Sequence, residues 1–179
     1  MVLTANLKRA FPAVASPVAT ILILGSMPGE ASLRAQQYYA HPHNAFWRIL
    51  ADVTGVPADM AYDRRIAALA EAGIALWDVL HACEREGSLD ADIIDATSVP
   101  NDFTEFFREH PLIRQVCFNG AKAEQVFRRK VSGKQDIPAG VAFTRLPSTS
   151  PAHAGMSFNR KRDEWLAVLG QVYCPNGSR

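Results

Sequence analysis

A chain of 179 residues that is 48% hydrophobic and 21% charged holds enough apolar material for one domain, burying roughly 70% of the surface its unfolded form exposes. Its three cysteines (Cys83, Cys117, Cys174) exclude a disulfide framework, no apolar run approaches a membrane span, and Met1–Lys8 lacks the features of a secretory signal, so a reducing cytoplasm is expected. The net charge of +1 hides an asymmetry, since residues 51–110 carry 13 acidic and 4 basic side chains and the remainder 5 and 15; either one face accepts a phosphate backbone, or the acidic stretch is a solvated helical region.

In chain order, the first buried strand is predicted over Thr20–Leu24, running into Gly25-Ser26-Met27-Pro28-Gly29. Glycines on both sides of Met27-Pro28 let the backbone approach a ligand, although any tight strand-to-helix turn has the same composition. The turn lacks the third glycine of a dinucleotide fingerprint and the Gly-Lys-Ser/Thr of a phosphate-cradling loop. Tyr38-Tyr39-Ala40-His41-Pro42-His43-Asn44 then precedes a helix over Ala45–Thr54, whose Phe46, Trp47 and Leu50 make a core stripe; His41 is expected to order the turn by hydrogen bonding. A helix over Tyr62–Ala72 leads to a strand over Ile74–Trp77 that ends in Asp78. A helix over Asn101–His110, capped by Asn101 or Asp102, is followed by a strand over Gln115–Phe118 and the pair Asn119-Gly120. The chain closes with a helix over Ala121–Val131, a strand over Val141–Leu146, the turn Pro147-Ser148-Thr149-Ser150-Pro151 and a helix over Arg160–Leu169 capped by Asn159.

Strands alternating with helices imply parallel pairing, hence a single-domain three-layer α/β/α sandwich around a four-stranded parallel sheet. Ligands bind beyond the carboxyl ends of such strands, so the four turn segments should meet at one cleft. An enzyme that works on a nucleobase must take it out of the stack and hold it between aromatic faces and hydrogen-bonding edges. An exposed Tyr39 would suit that task, stacking being worth about 1–3 kcal/mol per base. Asp78 either points into the cleft, as an acceptor for a base edge or a weak general base, or caps a turn over Leu80–Cys83.

Gly-Ser-Met-Pro-Gly followed by Tyr-Tyr-Ala-His-Pro-His-Asn-Ala-Phe-Trp closely resembles motif one of the uracil-DNA glycosylase superfamily, in the form found in its hypoxanthine-DNA (DNA-deoxyinosine) glycosylases. Ser148-Thr149-Ser150-Pro151 resembles motif two, and Leu76–Leu80 and Gly87–Asp90 resemble the same branch, so the likeness spans about Thr20 to Trp165. The resemblance implies hydrolysis of the N-glycosidic bond of an everted base. Uracil-specific relatives have Asp or Asn where this chain has Met27, and His or Asn where it has Ser148, which implies a poor uracil glycosylase. It also implies that the catalytic amide is Asn44, supported by Asn119, with Gly25, Ser26, Met27, Tyr39, Asp78 and Ser148 around the base. The loop from Pro151 would enter the minor groove, His153 or Met156 acting as the wedge. Arg160, Lys161 and Arg162 would touch phosphates, unless they are merely a solvated helix start.

The five histidines show no zinc-ligand spacing, so no metal or cofactor is expected. No lysine lies in either motif, which points away from a Schiff-base lyase step. The expected partner is DNA carrying a damaged base, met by a monomer. Uracil or xanthine in place of hypoxanthine, and a binding module without catalysis, stay open as alternatives. A small-molecule hydrolase is disfavoured because Gly-x-Ser-x-Gly is absent.

Overall fold

The structure, a computed structural model, describes residues 7–170; Cys174 and most of the Met1–Lys8 segment lie outside the described residues. In chain order the strands are β1 (Leu7–Arg9), β2 (Ile21–Gly25), β3 (Ile74–Asp78), β4 (Leu80–Glu84), β5 (Val99–Pro100), β6 (Gln115–Asn119) and β7 (Ala142–Leu146). The helices are α1 (Glu30–Ala35), α2 (Phe46–Thr54), α3 (Tyr62–Glu71), α4 (Phe103–Glu109), α5 (Ala121–Lys130) and α6 (Phe158–Leu169). Strands β3-β2-β6-β7 form a four-stranded sheet in that order, and every neighbouring pair is parallel.

Side chains alternate across β2, and so does the core. Leu22 and Leu24 join Phe103, Phe106 and Phe107 of α4 and Val126 and Phe127 of α5 on one face. Ile21 and Ile23 join Phe46, Trp47, Ile49 and Leu50 of α2, Leu69 of α3, and Trp165 and Leu169 of α6 on the other. These are the three layers expected of the alternating pattern. Register then sets the site: Gly25 pairs with Asp78, Leu24 with Phe118, and Asn119 with Leu146, so the strand tips end nearly level.

A second, antiparallel sheet in the order β1-β4-β5 was not foreseen. Leu80–Glu84 is therefore a strand, and Asp78 caps no turn there. The cap of α4 is Asp102, whose carboxylate accepts from the Glu105 N–H at 3.0 Å, while the Asn101 amide donates to the Asp78 carbonyl at 2.8 Å. Helix α6 begins earlier than expected because Ser157 caps it, accepting from the Arg160 N–H, which leaves Asn159 inside the first turn. Among the described residues, no helix is long and apolar enough to cross a membrane.

Candidate active site

Beyond the carboxyl ends of the parallel strands lies a cavity of about 550 Å³, within the range usual for ligand sites. The Gly25–Gly29 turn, Tyr39, His41, Asn44, Asp78, Asn119, Ser148 and His153 all line it. The two expected catalytic amides, the six residues expected around the base and His153 of the terminal loop thus share one space.

The turn after β2 is held by neighbours. Val79 and Leu80 donate their N–H groups to the carbonyls of Gly25 and Ser26 at 2.8 and 3.1 Å. Glycine is required at position 25 by crowding: a Cβ there would stand 2.5 Å from Asp78 Oδ1 and 3.2 Å from the Tyr39 hydroxyl. Met27, 6% exposed, borders the cavity while packing into the α4/α5 side of the core, and its thioether offers water no activating group.

Asn44 stands just before α2. Its Oδ1 accepts from the Phe46 N–H at 3.0 Å, which fixes the amide and leaves one oxygen lone pair for another donor. His41 does order this turn, its Nδ1 accepting from the His43 N–H at 3.2 Å. Asn119 is engaged at both ends of its amide: Nδ2 donates to Thr149 Oγ1 and Oδ1 accepts from the Thr149 N–H, each at 2.9 Å. The Thr149 carbonyl in turn accepts from the Ala45 N–H at 3.0 Å, so motif two is tied directly to the residue after Asn44. Ser148 Oγ accepts from the Ser150 N–H at 3.2 Å and keeps its own proton to give.

Tyr39 corrects the expectation of an exposed ring. It is half-buried, stacks on Phe46 at a centroid distance of 3.9 Å, and holds a left-handed backbone with φ 55°. Its hydroxyl is sealed from solvent without a partner among the described residues, and burial beside Asp78 raises its pKa. Asp78 is 3% exposed, and its Oδ2 likewise has no partner. Burial, reinforced by the Asp90 carboxylate and partly offset by the Arg85 guanidinium, pushes the Asp78 carboxyl up to about 7. Asp90 lines the cavity too, accepts from Ser26 Oγ at 2.5 Å, and is itself raised by burial, with that hydrogen bond opposing.

Asp78 lies in the cleft, as one of its two sequence readings has it, whereas no sequence motif marks Asp90 or Arg85 beyond the likeness of Gly87–Asp90 to the family. Arg85 is fully buried and ties this acidic corner together, donating to the carbonyls of Gly87 and Pro28 while its Nη1 stays unpartnered. Ser88 Oγ accepts from the Glu30 N–H at 2.9 Å, closing the same seam. Lys122 at the start of α5 also borders the cavity, 4.0 Å from Asp95; it belongs to neither motif and was missed for that reason.

The terminal loop divides. His153 is exposed and Met156 half-buried, and both remain on the loop between motif two and α6. Lys161 corrects the phosphate assignment: it is 5% exposed and its Nζ donates to the His153 carbonyl at 2.7 Å, so it braces the loop from within. Arg160 and Arg162 stay on the surface beside Glu164 and Asp163, at 3.3 and 2.9 Å.

The glycine turn, the amide-bearing loop and the serine-rich turn of this α/β sandwich close on one cavity at the strand tips. The model of the uracil DNA glycosylase superfamily matches residues 12–170, and the chain belongs to that superfamily. It is 41% identical over 166 residues to a protein named hypoxanthine DNA glycosylase from Methanosarcina acetivorans, covering 91% of this chain and 98% of that one. A protein of the same name from Methanosarcina barkeri is 42% identical over 117 residues, covering 65% of this chain and 73% of the other. A Methanosarcina acetivorans protein solved by solution NMR superposes with a TM-score of 0.75 at 40% identity, covering 93% of this chain and 98% of that one. The chain is a DNA glycosylase, a hydrolase of N-glycosidic bonds.

Proposed function

We propose that the base removed is hypoxanthine, released from deoxyinosine by hydrolysis without a lyase step, and that the enzyme works as a monomer on cytoplasmic DNA. The observation that carries this reading is the single cavity in which Asn44 meets the Gly25–Gly29 turn, Asn119 and Ser148. Both relatives named for hypoxanthine support it, as does Met27 at the position where water-activating carboxylates or amides stand in uracil-specific relatives.

Asn44 orients the water. With one lone pair of Oδ1 held by the Phe46 N–H, the other accepts a water hydrogen in a fixed direction. An amide cannot take that proton strongly, so the glycosidic bond is largely broken before the water arrives, and catalysis rests on stabilising the departing base. Ser148, with its free hydroxyl hydrogen, and the backbone N–H groups of the Gly25–Gly29 turn supply donors. Asn119 serves by holding Thr149, and through it Ser148, against the end of β6. His153 or Met156 fills the stack left by the base, and Arg160 and Arg162 approach phosphates.

Single-turnover excision from an inosine-containing duplex tests these roles. Asn44→Ala and Asn119→Ala should each slow release by about 10²-fold or more; wild-type rates in both would end the assignment. Parallel assays on uracil and xanthine duplexes measure how strongly the site prefers hypoxanthine.

A further inference from the structure

Positioned water and neutral donors leave one requirement of a purine leaving group unmet. As the C1′–N9 bond breaks, its electron pair moves into the imidazole ring, and a proton delivered to N7 lets the base depart neutral. The Asn119 amide, held by Thr149 at both ends, can donate a hydrogen bond but not a proton, and Met27 has no proton to give. One carboxyl borders the cavity with a sealed, unpartnered oxygen: Asp78, at the tip of β3, with Oδ1 against Gly25 and Oδ2 bonded to nothing among the described residues. Its neighbour Asp90 is spoken for by the Ser26 hydroxyl.

We propose that Asp78 is the general acid of the reaction, giving its proton to N7 of the departing hypoxanthine. The step balances. The Asp78 O–H breaks as N7–H forms, the C1′–N9 pair enters the ring, and hypoxanthine leaves as its neutral N7–H tautomer. Water held by Asn44 adds to C1′, and the proton it sheds restores the acid. A neutral carboxyl is one donor, whereas its ionised form only accepts, so the site must keep Asp78 protonated at working pH. The surroundings favour that form. Burial and Asp90 favour the neutral form and Arg85 opposes them less strongly; the Tyr39 hydroxyl lies with the carboxyl beside Gly25, while the Tyr38 hydroxyl donates to the Pro12 carbonyl. Glu30, His41, Lys122 and His153 border the same cavity further out.

This inference rests on the hypoxanthine reading, and single-turnover rates between about pH 5.5 and about pH 9 test the two separately. Wild type should be level at the acid end and fall tenfold per pH unit above a midpoint near 7. Asp78→Asn should lose about 10²-fold or more at the acid end, and its profile should be flat. Asp90→Asn, which removes a charge that favours the neutral acid, should move the fall to lower pH; it also covers the case in which Asp78→Asn yields no folded protein. A basic fall that persists in Asp78→Asn, or does not move in Asp90→Asn, would overturn the proposal while leaving the hypoxanthine reading intact. Wild type that binds the inosine duplex and releases no hypoxanthine at any pH would overturn both.

Discussion

At Thr149 three hydrogen bonds meet. Its hydroxyl and N–H close a ring with the Asn119 amide, and its carbonyl receives the N–H of Ala45, so the tip of β6, motif two and the start of α2 share one anchor. Thr149 is 1% exposed, at the border of the cavity. Thr149→Val keeps the shape and deletes the acceptor, stranding an Asn119 N–H; a loss of about 1–3 kcal/mol is expected in thermal unfolding. Excision should fall with it, because Ser148 rides on the same anchor. Gly120 shows the same economy of space: its φ of 94° suits glycine, and a Cβ there would come within 2.9 Å of the Ser148 Cβ. None of this could be read from the sequence. Thr149 was visible as part of a turn, but its partner is 30 residues away, and nothing in a Ser-Thr-Ser string says which hydroxyl faces inward.

Among the elements, the parallel strands and their helices were legible because their signals are strong: continuous apolar runs for β2, β3 and β6, and apolar stripes at helical spacing for α2, α4 and α5. The small sheet was not. Strands of 3, 5 and 2 residues, one of them carrying Lys8 and Arg9, have no periodicity to betray them, and they exist because β4 pairs with both β1 and β5. The stretch from Pro151 to Ser157 is a loop, and the three cations expected at the helix start to touch phosphates do not share one face. A helical turn points successive residues about 100° apart, so of three consecutive cations one, Lys161, faces inward and holds the loop by the His153 carbonyl. Arg160→Ala should therefore lower the salt dependence of DNA binding by about one counterion, since its exposed pair with Glu164 is worth little. Lys161→Met should leave that slope in place and weaken excision by loosening the loop. Fluorescence titration across salt concentrations separates the two.

Across the whole molecule, the charge asymmetry of the sequence is partly folded away. Asp95 of the acidic stretch collects Lys122 and Arg129, and Asp52 lies 3.9 Å from Arg162. The buried acid leaves a clearer global signature. A carboxyl whose folded-state pKa is raised binds its proton more tightly in the native chain than in the unfolded one. Its contribution is therefore fully present below the ordinary carboxylate range and is lost as pH rises towards about 7. Thermal unfolding should show Asp78→Asn gaining on wild type as pH climbs from about 4 to about 8, by a few kcal/mol at most; a difference independent of pH would contradict the raised pKa. A variant that is both steadier and slower is the signature of a residue kept for its chemistry.

Four sealed polar side-chain atoms have no partner among the described residues, and three of them (the Tyr39 hydroxyl, Asp78 Oδ2 and Arg85 Nη1) surround the turn that follows β2. Each such atom costs about 1–3 kcal/mol, a large fraction of the margin by which a domain of this size stays folded. Two of the four, on Tyr39 and Asp78, belong to residues that line the cavity; Arg85 and Ser16 do not line it. The enzyme holds part of its own cohesion in reserve on Tyr39 and Asp78, where a guest with matching edges can release it.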